Sequence, residues 1–324
     1  MTREDDEALS HFDTISDIRA FSHSRLDALH SRLASTFGEE ASFAVVTCGS
    51  YGRLEASRQS DCDYFVIVDR QSGTSPPGYP HLQEIQQAIN EVVGIEPSAG
   101  GAFATIHDVQ DMLTNIGGTA ESNHALTRRM LFLLEARAIY NAKLVDRART
   151  SVLERYIHNE IAADNLARFL LNDLIRYYRT ICVDFEYKTV EEGKAWAIRN
   201  IKLQFSRKLL YFSGVIAVAE TEGLDAAQKR KRLAELLALS PLLRLHQVCG
   251  SHVDEALAEY DHFLGRLMRD DVRQTLNDPE VGPGSQNTEY RELKDRGEHF
   301  SHALERSLEQ TYRPDSRIRH ALLF

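Results

Sequence analysis

The chain has 324 residues, is 43% hydrophobic and carries a formal charge of −10. That length and apolar content suffice for a sizeable core and two domains, and the negative charge argues against a general nucleic-acid coat or an anionic-membrane binder. No apolar run approaches the roughly 18 residues needed to span a bilayer, the acidic start MTREDDEALS is unlike a signal peptide, and four scattered cysteines without a CxxC suit a reduced cytoplasmic protein.

In chain order, Ile15, Ile18, Leu26, Leu29 and Leu33 fall on one helical face and predict a first helix. Phe43 to Thr47 (FAVVT) reads as a strand, followed by a Gly49-Ser50 turn and a short helix around Tyr51 to Ala56. Asp61 to Val68 reads as a second strand, Gln71 to Pro80 as a loop, His81 to Val93 as a helix and Ala102 to Ile106 as a third strand. From Asn123 onward the pattern is helical. The best segments are Asn123 to Tyr140, Ala167 to Tyr187, Lys194 to Ala219, Val253 to Leu276 and Glu289 to Tyr312. The fold class is α+β, a small mixed-sheet domain over 1–150 followed by an all-helical domain over 151–324.

The stretch Val45 to Val68, VVTCGSYGRLEASRQSDCDYFVIV, concentrates the chemistry. Gly49 lets the backbone turn tightly and approach a ligand. Ser50 adds a hydroxyl, and amides opening a helix favour phosphate. Side chains of a strand alternate, so Asp61 and Asp63 share a face while Cys62 points away. Their Cα atoms then lie roughly 6.5 Å apart, a spacing at which two carboxylates can share Mg²⁺ or Mn²⁺.

Gly49-Ser50, a ten-residue spacer and Asp61-Cys62-Asp63 resemble the signature of the DNA polymerase beta-like nucleotidyltransferase superfamily. The fuller string, with Gly49, Tyr51, Gly52, Arg53, Glu55, Ser60, Asp61 and Asp63, is most similar to the variant in PII-protein uridylyltransferases and related nucleotidyltransferases. The resemblance implies an NTP substrate with its phosphates over Gly49, Ser50 and Arg53, and metal ions on Asp61 and Asp63. An acceptor hydroxyl on a protein, an RNA or a small molecule would attack the α-phosphate and release pyrophosphate. One metal would lower the pKa of that hydroxyl, and the other would neutralise the leaving oxygens. The superfamily usually carries a third carboxylate on a later strand. Ala102 to Ile106 contains none, and among the flanking Glu96, Asp108 and Asp111 the choice falls on Glu96. Without a third acid at the site, the domain would be a nucleotide-binding regulatory module.

Two helical segments carry further polar patterns. Asp173, Arg176, Thr180 and Asp184 share one helix face, either as a ligand stripe or as an internal salt-bridge network. On the next helix Arg199, Lys202 and Ser206 share a face that could hold a triphosphate or an acceptor's phosphates, or could simply be solvated. Trp196 beside them suits a core anchor better than a base-stacking platform.

Overall fold

Two apolar runs build the centre of the sheet. Phe43–Thr47 forms β1 and Tyr64–Val68 forms β2, and every residue of both is buried. Strands without polar alternation need cover on both faces. The structure, a computed structural model, describes residues 8–38, 42–69, 80–96 and 105–323. β1 and β2 pair antiparallel from Phe43 opposite Val68 to Thr47 opposite Tyr64. Ile106–Asp108 (β3) runs parallel to β2, and Arg137–Tyr140 (β4) runs antiparallel to β1, giving the order β3-β2-β1-β4.

Helices close both sides. Leu26, Leu29 and Leu33 of α1 (Asp13–Phe37), with Ile85, Ala88 and Ile89 of α3 (Pro80–Val93), pack on Phe43, Val45, Tyr64, Val66 and Val68. Between these helices in sequence comes the five-residue α2 (Gly49–Arg53). After β3 come α4 (Val109–Leu113) and α5 (Asn123–Leu134). Past β4, α6 (Ala142–Tyr156) packs on β1 and β4.

The remainder is helical: α7 (Arg168–Val190), α8 (Trp196–Lys202), a π-helical turn (Leu203–Arg207), α9 (Lys208–Ala219), α10 (Ala226–Ala238) and α11 (Pro241–Cys249). A 3₁₀ turn, Gly250–Val253, leads into α12 (Asp254–Leu267), α13 (Asp270–Asn277), α14 (Thr288–Thr311) and α15 (Arg317–Ala321). The α+β class therefore holds, with a mixed sheet first and helices after. The chain forms two compact units. One comprises Asp17–Ala162 with Asp225–Ser240 and carries the sheet; the other comprises Met1–Ser16, Ala163–Leu224 and Pro241–Phe324.

Five boundaries depart from the sequence reading. β2 starts at Tyr64, not Asp61. The short helix covers Gly49–Arg53 because Leu54, in the left-handed region (φ 63°), ends it. β3 overlaps the expected strand at Ile106 and continues through His107 and Asp108, while 102–104 lie outside the described residues, as do 71–79 of the expected loop. The helix expected over Asn123 to Tyr140 stops at Leu134, and its last four residues are β4. The segment Val253 to Leu276 likewise breaks between α12 and α13, where Arg269 is extended.

Leu29 is fully buried beneath the sheet. Leu29→Ala is expected to lower stability by about 2–5 kcal/mol, read as a shift of the urea midpoint followed by far-UV circular dichroism.

Candidate nucleotide site

The site begins where β1 runs out. Cys48 N–H donates to the Asp63 carbonyl (2.9 Å), and Thr47 Oγ1–H donates to the same oxygen (2.8 Å). These bonds carry the β1–β2 pairing one step past the regular ladder and fix the backbone of Asp63. Cys62 is fully buried between half-buried Asp61 and Asp63, so the expected alternation persists upstream of the strand.

Gly49 has φ +64°, and a Cβ built there would lie 2.9 Å from Asp63 Oδ2. The Asp63 carboxylate thus rests on the glycine bend, and any side chain at 49 would meet both backbone strain and that oxygen. Turn and acid therefore lie side by side.

A buried ion network holds the bend from behind. Glu135, just past the end of α5, accepts the Gly49 N–H at Oε1 (3.0 Å) and Arg53 Nη1–H at Oε2 (2.7 Å). Arg53 Nε–H donates in turn to Glu55 Oε2 (2.8 Å). The Glu135 side chain is 1% exposed, so this is a desolvated ion triplet rather than a surface pair. Gly52 completes the fit: a Cβ there would come within 2.4 Å of the Glu135 carbonyl oxygen. The glycines at 49 and 52 therefore have different tasks, one beneath an acid and the other against a backbone.

Residues 7–116 match the family model described as "Putative nucleotidyltransferase DUF294". The N-terminal region is thus nucleotidyltransferase-like, consistent with the DNA polymerase beta-like superfamily. The match spans α1 to α4 and does not single out PII-uridylyltransferase relatives. No curated protein matches the chain.

The other expected residues of this nucleotidyltransferase-like region fall as follows. Arg53 faces Glu55 and Glu135, and the Gly49 amide is taken by Glu135, so neither offers those donors outward. Glu96 is exposed beyond α3. Among the described residues no three His, Cys, Asp or Glu side chains are grouped to hold a metal, so Glu96 does not join Asp61 and Asp63. β3 runs parallel to β2 with Ile106 opposite Val66. Asp108 stands opposite Val68, five residues or roughly 16 Å along the strand from Asp63, and caps α4 by accepting from Gln110 N–H. Arg199 and Lys202 are on α8, in the other compact unit. There the expected polar stripe is divided into internal pairs, Arg176 with Asp173 (2.5 Å) and Lys188 with Asp184 (2.7 Å). Trp196 packs edge-to-face on Phe185 and Tyr290, as a core anchor does.

Glu135 escaped the sequence reading. It sits in a helical pattern, where an acid normally reads as solvated. The available signal was its place directly after the wholly apolar MLFLL.

Burial also sets the titration of this corner. It pushes the Cys62 thiol and the Tyr51 and Tyr64 phenols up to about 12. It raises Cys48 well above the ordinary thiol value too, with Glu135 and Asp63 adding to the effect.

Two predictions follow from this packing. Glu135→Ala leaves Arg53 with one of its two buried carboxylates, and a loss of about 3–5 kcal/mol is expected, read by urea denaturation. The protonated forms of Cys48, Cys62, Tyr51 and Tyr64 are bound more tightly when folded, so the stability they contribute is full below about pH 9 and falls as pH rises toward about 12. Urea midpoints should decline across that window, and the thiols of Cys48 and Cys62 should resist alkylation in the native protein at pH 8.

Proposed function

We propose that the sheet-bearing unit is a nucleotide-binding module of the nucleotidyltransferase type, holding a nucleoside triphosphate with Mg²⁺ or Mn²⁺ at Asp61 and Asp63. The observation that carries the reading is the Asp63 carboxylate lying on the Gly49 bend beside Ser50. Two aspartates are a donor set suited to such an ion. Mg²⁺ is commonly held by one or two carboxylates, with substrate phosphates and water completing its shell. Bound there, the ion would supply positive charge against the phosphates. Ser50 contributes its hydroxyl to the same bend. Arg53 and Glu135 act as positioning residues through the backbone of Gly49.

The module reading is favoured over transfer because no third carboxylate is grouped with Asp61 and Asp63 among the described residues. The intact Gly-Ser and Asp-x-Asp elements and the family match support a second reading, retained nucleotidyl transfer. In that reading an acceptor hydroxyl oxygen bonds to the α-phosphorus, the bond to the β-phosphate bridge breaks, and pyrophosphate leaves. The acceptor would be a protein, an RNA or a small molecule.

Two measurements on wild type and Asp63→Ala separate these readings. The first is calorimetric binding of each NTP with and without Mg²⁺. The second is transfer of label from each α-labelled NTP into protein, RNA and small-molecule fractions. The module reading expects Mg²⁺-dependent binding, weakened at least roughly 10-fold by the substitution, and no transfer. Transfer that drops at least roughly 10²-fold in Asp63→Ala would establish the enzyme instead. Absence of nucleotide binding in the wild type would overturn both.

A further inference from the structure

Helix α7 exposes far more apolar surface than its neighbours. Six large hydrophobic side chains are exposed among the described residues, and four of them are on α7. Val183, Tyr187 and Val190 are 70%, 55% and 72% exposed. Their spacing of four and three residues puts them in one stripe on the C-terminal half of the helix. The opposite face of α7 is satisfied: Leu170, Leu171, Leu174 and Tyr177 are buried, and the helix packs along α9.

The charges along the exposed face are polarised. Its N-terminal half carries Arg168, Arg176 and Arg179, all exposed, and its one acid, Asp173, is buried and paired with Arg176. Its C-terminal half carries exposed Glu186, with exposed Glu191 directly after its end, while Asp184 and Lys188 pair with each other. A second copy of the same helix laid antiparallel about Val183 brings Arg176 and Arg179 of each onto the Glu186–Glu191 stretch of the other, with Val183 at the shared axis. A parallel copy would set like charges together. An isologous two-fold contact is self-complementary in this way, and opposite charges flanking an apolar seam set orientation in paired helices.

We infer that α7 is a self-association surface on which a second copy of this chain docks antiparallel, through Val183, Tyr187 and Val190 flanked by Arg179 and Glu186. The helix is about 34 Å long at 1.5 Å per residue, so the contact is a single helix pair. Such a dimer is expected to be concentration-dependent and weakened by salt.

Sedimentation equilibrium of the full chain over a concentration series tests this. The wild type should rise from 36.7 kDa toward twice that mass. Val183→Asp with Val190→Asp should hold it at the monomer. Arg179→Glu should weaken the dimer, and adding Glu186→Arg to that chain should restore it. Both charge sites are exposed, so these reversals leave the core alone, and far-UV circular dichroism confirms the helical content of each variant. A monomer at every concentration would overturn the inference and assign the face to a different partner. So would a dimer indifferent to both sets of substitutions, or a charge reversal that the second reversal does not rescue.

Discussion

The geometry of this corner depends on a carboxylate seated on a glycine. Asp63 can lie over the bend only because position 49 has no side chain and takes a left-handed φ. The bend stays in place because its amide is tied to Glu135, some ninety residues away in sequence. The local motif is therefore completed by a distant residue. Strand β4 brings Glu135 close, and Gly52 leaves room for the Glu135 carbonyl to approach. Burying two carboxylates around one guanidinium is a poor source of stability, since desolvation offsets most of the Coulomb gain. Its value here is definition: each hydrogen bond is directional, and a slipped β4 would leave a buried charge unmatched.

Much of this was legible in the sequence, and the parts that were not share a cause. β1 and β2 announce themselves as apolar runs between turn residues, and the Gly-Ser and Asp-x-Asp elements stand at their ends. The displaced strand start at Tyr64 changed little, because Cys62 stays buried between the two acids and the alternation survives. β4 was hidden. The residues RAIY follow an apolar helix without a glycine or proline to mark the break, and their pairing with β1 is a tertiary contact that overrides local propensity. With β4 unseen, Glu135 had no reason to be singled out. Glu96 was chosen on chain position alone, whereas the sheet decides such matters by register, and the parallel register of β3 brings Asp108, not an acid level with Asp63, into the strand.

The same register bears differently on binding and on chemistry. An ion that takes most of its ligands from phosphate and water asks little of the protein, so on the proposed reading two aspartates would suffice to recruit a metal–nucleotide complex. Transfer asks more, because charge must be stabilised as it develops on both the attacking and the leaving oxygens. A third carboxylate matters to that second demand and hardly at all to the first. The residues around Asp63 therefore support recognition more strongly than turnover.

Helix α7 poses the converse problem, an element with more exposed apolar surface than its own unit covers. A helix is sustained mainly by packing of its apolar face. Up to Tyr177 that condition is met, with Leu170, Leu171 and Leu174 buried. Beyond it the burial falls away, yet the helix continues to Val190. Phe185 against Trp196 and the Asp184–Lys188 pair account for part of this persistence. Neither involves Val183, Tyr187 or Val190, whose exposure is a standing hydrophobic cost in the isolated chain. Polar residues at those three positions would keep the helix soluble without any partner. Apolar ones bordered by charges of opposite sign in its two halves are what a self-complementary contact needs, and that combination is the reason to look for a second copy of the chain there.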